Sequence, residues 1–384
     1  MKRRHALTSI LVSALVVTAW LALCPAQSEA GFQWATPYVS AVAGYDSNVR
    51  RISSTSPPAG QEVEGDGRAV FLASLGANYD GGGRLRAALE ARPYYVKYFN
   101  INEFDRADVF AAGELFYGMS DRWKLEVLDR FRYTYFTGRD FDRLYNSLEP
   151  AVVWDLSRRW EAAAQYRYMY RDNPRRILDW WQAHGAGGWV GVDATDRLSL
   201  KAFGRVDFQS QQFVFPRGNE GERYWADLSG RYFLGSKTLL MGKYLFQKDD
   251  MAVAFAPGPD YDVLGDPADD FADGILQSLR FMEDADNNYR KHLLVLLSHT
   301  SIHEGTFLEA FLLYQDKLFD QTVIQLPDRP RRHDRTYVAQ VYILSPLGRG
   351  FSLLGTVRYE QNDSNDARRD FHYTIVGAGL KWSF

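Results

Sequence analysis

Arginine recurs at a fixed interval. Arg92, Arg130, Arg167 and Arg205 each stand eight residues after another arginine, namely Arg84, Arg122, Arg159 and Arg197, and Arg358 stands eight after Gly350. On extended chain that interval is roughly 20 Å up a wall after allowing for strand tilt. Five guanidinium groups at one height would attract anions into a narrow pore. The competing reading is structural: Glu90, Glu126, Glu161, Asp207 and Glu360 lie close enough in sequence to pair with the arginines and fill an interior.

A second charged feature lies between Asp249 and Asp286, with eleven acidic residues against Arg280 alone and the apolar segment Ile275–Met282 inside it. A connection that long is usually functional. Folded inward, Asp260, Asp262, Asp266, Asp269, Asp270 and Asp273 would face the arginines as a constriction loop and set a transverse field. Left outside, the segment caps a mouth or adds a hairpin. The spacing of Asp266, Asp269, Asp270 and Asp273 matches no EF-hand loop for calcium.

Enzyme chemistry finds little support. His299-Thr300-Ser301 has a histidine-x-serine spacing but falls beside a short turn, and His303-Glu304 completes no HExxH zinc motif. The glycines sit in strands and turns rather than ahead of a phosphate-binding helix. No cofactor and no catalytic residue is expected.

The elements that position the arginines are strands. From Arg122, Trp123, Leu125, Val127, Phe131 and Tyr133 alternate with Lys124, Glu126, Arg130 and Arg132, and the units from Arg159 and Arg197 repeat the pattern. Charge cannot face lipid cheaply, so the charged face is the interior of a membrane barrel. Seven short turns alternate with eight long connections, which implies sixteen strands; fourteen to eighteen cover the alternatives. Upward strands begin at Arg84, Arg122, Arg159 and Arg197, a hairpin repeat. Asp129 falls on the lipid face, and Pro93 suggests a bulge. Trp34, Trp123, Trp154, Trp160, Trp189 and Trp382 lie near the short turns, as a periplasmic aromatic girdle would.

Composition agrees. Aromatic residues make up 15% of the chain, and beyond Leu23 no apolar run is long enough for a membrane helix. Residues 1–30 read as a cleaved secretory signal: Lys2, Arg3 and Arg4, an apolar run from Leu7 to Leu23, then Ser28-Glu29-Ala30. Residues 31–384 form the barrel domain. It carries a modest negative charge and suggests no nucleic-acid partner; its surroundings would be the outer-membrane bilayer. Cys24 is the one cysteine, so no disulfide framework is expected.

Two short stretches carry a resemblance. Tyr45-Asp46-Ser47-Asn48, ending the first strand, resembles the YDSN motif of a group of proteobacterial outer-membrane barrels. These include the barrel domain of surface lipoprotein assembly modulators and outer-membrane proteins associated with exopolysaccharide export. The closing part is similar too, with Tyr359, Asn362, Ser364-Asn365-Asp366 and Asp370 ahead of a last strand that ends on Trp382 and Phe384. The resemblance implies that Trp382 and Phe384 belong to a signal read by the barrel assembly machinery. For the YDSN residues it leaves turn formation and recognition both open.

Three functions follow as expectations. The first is a channel for polar or anionic solutes or saccharide, lined by Arg92, Arg130, Arg167, Arg205, Arg358, Glu90, Glu126 and Asp207. The second is a barrel assisting export of a surface lipoprotein or exopolysaccharide with a periplasmic partner. The third is a structural or adhesive barrel with a plugged lumen.

Overall fold

The computed structural model describes residues 31–49, 62–137, 142–172, 180–212, 219–251, 288–322, 330–366 and 369–384. The proposed signal segment and residues 252–287, which hold most of the acidic connection, lie outside them; Asp249 and Asp250 belong to the end of a strand. Sixteen strands follow one another in the order β1 Gly31–Asp46, β2 Asp66–Asp80, β3 Leu85–Tyr98, β4 Arg106–Gly118, β5 Trp123–Phe136, β6 Arg143–Asp155, β7 Trp160–Asp172 and β8 Trp180–Thr195. They continue as β9 Leu198–Gln212, β10 Asn219–Leu234, β11 Thr238–Met251, β12 Tyr289–His303, β13 Thr306–Thr322, β14 Arg331–Gly348, β15 Phe351–Ser364 and β16 Phe371–Ser383. Each pairs antiparallel with its sequence neighbours, and β16 returns to β1 to close the barrel.

The reasons are local. Hydroxyls hold the short turns of the repeat: Ser120 Oγ accepts the backbone N–H groups of Arg122 and Trp123, Ser157 Oγ those of Arg159 and Trp160, and Thr195 Oγ1 those of Arg197 and Leu198. Such a turn fixes register, and register fixes which residues face out. On β16, Val376, Leu380 and Trp382 are exposed on the outer face, whereas Tyr373 and Ile375 are fully buried inside. Closure leaves no sheet edge to satisfy in lipid. No helix among the described residues is long and apolar enough to cross a membrane, so the strands do the crossing. An apolar exterior around a charged interior makes the chain an integral outer-membrane barrel.

Two local expectations change. Trp123, Trp154, Trp160 and Trp382 are exposed near the short turns, and Trp123 stacks on Trp154 with ring centroids 5.3 Å apart. Trp189 instead pairs across from Phe203 on the inner wall, with Lys201 Nζ 3.6 Å from its ring centroid. Its strand alternates glycine and small residues, so no polar face marked the interior there. The side chain of Trp34 lies outside those described. Pro93 causes no register shift: its pairing with β4 is continuous, and the ladder to β2 merely lapses between Leu72↔Tyr94 and Leu75↔Ala91. Asp129 does sit on the outer face, where its carboxylate accepts Asn146 Nδ2 at 3.1 Å. That bond lessens the cost of a carboxylate on the lipid side.

Candidate functional site

The arginines share a height because of how the strands tilt. The hydrogen-bonding direction climbs outward with increasing strand number, leading from Leu85 at the foot of β3 to Leu125 in β5 and Ala164 in β7. Following that direction, Arg92 leads through Phe110 to Arg132, and Arg130 stands two residues below it. Arg130 leads to Met169, with Arg167 two below; Arg167 leads to Asp207, with Arg205 two below. The step down cancels the climb. Arg92, Arg130, Arg167 and Arg205 therefore form one nearly level row on the inner wall; Arg358 lies on the same wall in β15, and all five are buried.

Every one of them meets a carboxylate. Arg92 pairs with Glu90, which also accepts Ser74 Oγ. Arg205 Nε lies 2.7 Å from Asp207 Oδ1, and Arg358 Nη2 donates to Glu360 Oε2 at 2.8 Å. Arg130 and Arg167 converge on Glu149, a residue that the intervals in the sequence did not single out. Its Oε1 accepts Arg130 Nη1 at 3.1 Å and lies 3.9 Å from Arg167 Nε. Ser147 Oγ and Gln165 Nε2 donate to the same carboxylate at 2.8 and 2.9 Å. Glu126 and Glu161, four and six residues below those arginines on the same strands, are the partners expected from sequence. Glu149 stands closer because pairing across β5 and β6 places it diagonally beside Arg130.

Aromatic rings complete the cluster. Trp225 Nε1 donates to Asp207 Oδ2 at 2.9 Å, and the guanidinium of Arg205 lies 5.0 Å from the Trp225 ring. Glycines make space for this packing: a Cβ on Gly185 would meet Asp207 Oδ1 at 1.9 Å, and one on Gly187 would meet Arg205 Cβ at 2.7 Å. Three guanidinium groups, Arg130, Arg167 and Arg205, thus face two carboxylates, Glu149 and Asp207. The excess is cationic, held in fixed geometry.

Exposure changes along the wall. At and above the arginine level, inward residues such as Gln247 and Lys291 are buried, whereas Glu161, Asp193, Lys201 and Arg231 near the periplasmic end are exposed. On β7 to β10 the inner wall is thus open toward the periplasm and packed from the arginines upward, whereas Val153 and Leu354 are buried below the arginine level elsewhere on the wall. Asp260, Asp262, Asp266, Asp269, Asp270 and Asp273 lie outside the described residues. Among the described residues no group of three or more His, Cys, Asp or Glu is placed to hold a metal ion. His299 faces Glu309, with Nδ1 2.8 Å from Oε1.

The YDSN residues close the barrel. Tyr45 points outward and is exposed; Asp46 and Asn48 are fully buried inside. Asp46 Oδ1 accepts the Asn48 N–H at 3.1 Å, and Asn48 Nδ2 donates to the His372 carbonyl at 3.3 Å. Ser47 extends the β1–β16 ladder, its N–H donating to the Thr374 carbonyl at 3.0 Å and its Oγ accepting the Thr374 N–H at 2.8 Å. The motif bonds the first strand to the last where the ladder ends. Ser47→Ala with Asn48→Ala should therefore lower the temperature at which the folded, fast-migrating form disappears on an unboiled gel. Two such bonds are worth roughly 2 kcal/mol; an unchanged transition would remove the seam role.

No family model and no curated protein matches the chain. Solved structures of similar architecture include a BenF-like porin from Pseudomonas fluorescens, with 7% identity over 93% of this chain and 99% of that one, TM-score 0.48. OpdQ from Pseudomonas aeruginosa has 10% identity over 91% and 98%, TM-score 0.47. An anion-selective porin from Comamonas acidovorans has 12% identity over 93% and 100%, TM-score 0.45. At this distance the likeness is one of barrel architecture alone.

Proposed function

We propose that this outer-membrane barrel is a passive channel for polar or anionic solutes, with Arg92, Arg130, Arg167, Arg205 and Arg358 as its selectivity row. The observation that carries this reading is the near-common height of Arg92, Arg130, Arg167 and Arg205 on the inner wall, with arginines exceeding carboxylates around Glu149 and Asp207. Such a row raises the local anion concentration beside the packed part of the wall, and the carboxylates hold the guanidinium planes without neutralising the excess. Glu90, Glu126 and Asp207 line the same wall. The acidic connection from Asp249 to Asp286 is proposed as the constriction opposite it. Saccharide fits the same row through hydroxyl contacts to arginine.

Buried inward residues above the row favour one rival, a lumen closed in its resting state. Ion conduction distinguishes the two. In a planar bilayer under a salt gradient, the channel gives steady conductance with a reversal potential on the anion side; absence of current contradicts the channel.

A further inference from the structure

On the lipid-facing side of β11 and β12 two cations stand directly opposite one another. Lys248 and Arg290 are register partners on the outer face; Arg290 is exposed, and the Lys248 side chain is partly so. Like charges directly opposite weaken a sheet. The carboxylates around them are already engaged elsewhere. Asp250 lies 2.7 Å from Lys248 Nζ, Asp320 lies 3.4 Å from Arg331 Nη1, and Asp316 meets His333 and, at 3.8 Å, Arg335. Glu222 and Asp363, on the strands to either side, accept Tyr224 and Gln361. Arg290 is left without an ion pair among the described residues.

The height of the pair decides what it meets. From Thr300 near the foot of β12, Arg290 stands ten residues up the strand. After allowing for tilt that is roughly 25 Å, the height of the apolar band on such a barrel. Arg290 therefore lies at the outer head-group level. Beneath it the surface is apolar: Leu294 and Leu296 on β12, Leu312 and Tyr314 on β13, and Tyr244 on β11 are exposed to lipid. Two residues below Arg290, His292 is also exposed, and the Tyr244 hydroxyl lies 2.8 Å from its Nδ1. With that hydroxyl donating, the imidazole carries its proton on Nε2 and can donate it to an anion.

We infer that Lys248, Arg290 and His292 bind the phosphate head group of an outer-leaflet lipid, whose acyl chains lie along Leu294, Leu296 and Leu312. A phosphate between the two cations turns their repulsion into attraction, Arg290 supplying paired N–H donors and Lys248 a point charge. Dissolved phosphate would make the same polar contacts but has no body to lay on the leucines, so the surface fits the lipid. The inference needs the barrel in its membrane and is independent of conduction.

Two lipids that differ only in phosphate test it. Residues 31–384, folded in detergent, are titrated with phosphorylated lipid A and with the same lipid after removal of its phosphates, and bound lipid is counted by native mass spectrometry. The phosphorylated form should bind roughly tenfold more tightly. Lys248→Gln with Arg290→Gln should bring it to the level of the dephosphorylated form. Arg335→Gln, at similar height but already beside Asp316, should keep the preference. Equal binding of the two lipids by the unaltered barrel, or an undiminished preference in the double variant, overturns the site. An equal loss in Arg335→Gln would show a general effect of surface charge and likewise overturns it. Inorganic phosphate in about a hundredfold excess should leave the lipid bound; displacement by it would overturn the lipid as occupant.

Discussion

Arg130→Glu combined with Arg167→Glu should turn an anion-preferring barrel into a cation-preferring one. Around Glu149 and Asp207 the change takes three guanidinium groups against two carboxylates to one against four. Each unit charge at roughly 8 Å in water contributes about 0.5 kcal/mol to the energy of a passing ion. Four units therefore amount to roughly 2 kcal/mol for each ion, on the order of thirtyfold against an anion and thirtyfold in favour of a cation at low salt, and less as screening grows. The matched variant Arg130→Gln with Arg167→Gln leaves one guanidinium against two carboxylates and should shift selectivity toward cations about half as far. Selectivity unchanged in both would mean that the row is packing, with the ion path elsewhere.

Glu149→Ala should be the most damaging single substitution in the inner wall. Its carboxylate takes Arg130, Arg167, Ser147 and Gln165 at once, so its removal leaves buried cations uncompensated rather than merely losing a bond. Breaking a buried pair from one side costs roughly 3 kcal/mol or more. Replacing the cations as well, in Glu149→Ala with Arg130→Met and Arg167→Met, should recover much of that loss, because the penalty belongs to the orphaned charge. Gel migration against temperature measures it; equal stability of the single and triple variants would show that Glu149 does not hold the arginines.

The barrel was legible wherever strands alternate clearly. In β5 and β7, charged residues every second position mark the inner face, and Ser120, Ser157 and Thr195 mark the turns, so sixteen strands and the arginine row could be read from spacing alone. Legibility ended where alternation does. β12 reads Leu293-Leu294-Val295-Leu296-Leu297 without a polar position, so either face could be lipid-facing; pairing with β11 and β13 decides it. Trp189 was misplaced for the related reason that glycine neighbours carry no polarity. Glu149 escaped notice because spacing within a strand reports one face of one strand, while its partners come from β5 and β7. For the YDSN residues the sequence left turn formation and recognition both open, and their bonds to β16 depend on contacts between opposite ends of the chain.

Conduction is the claim on which the proposed function stands, and one comparison in a planar bilayer tests it. Single-channel current is recorded for residues 31–384 and for a form in which residues 251–285 are replaced by a short Gly/Ser turn. The predicted result is steady, anion-preferring conductance that rises when the acidic connection is removed, as a constriction inside a pore would give. Silence from both forms would contradict it and leave a barrel closed by its own wall.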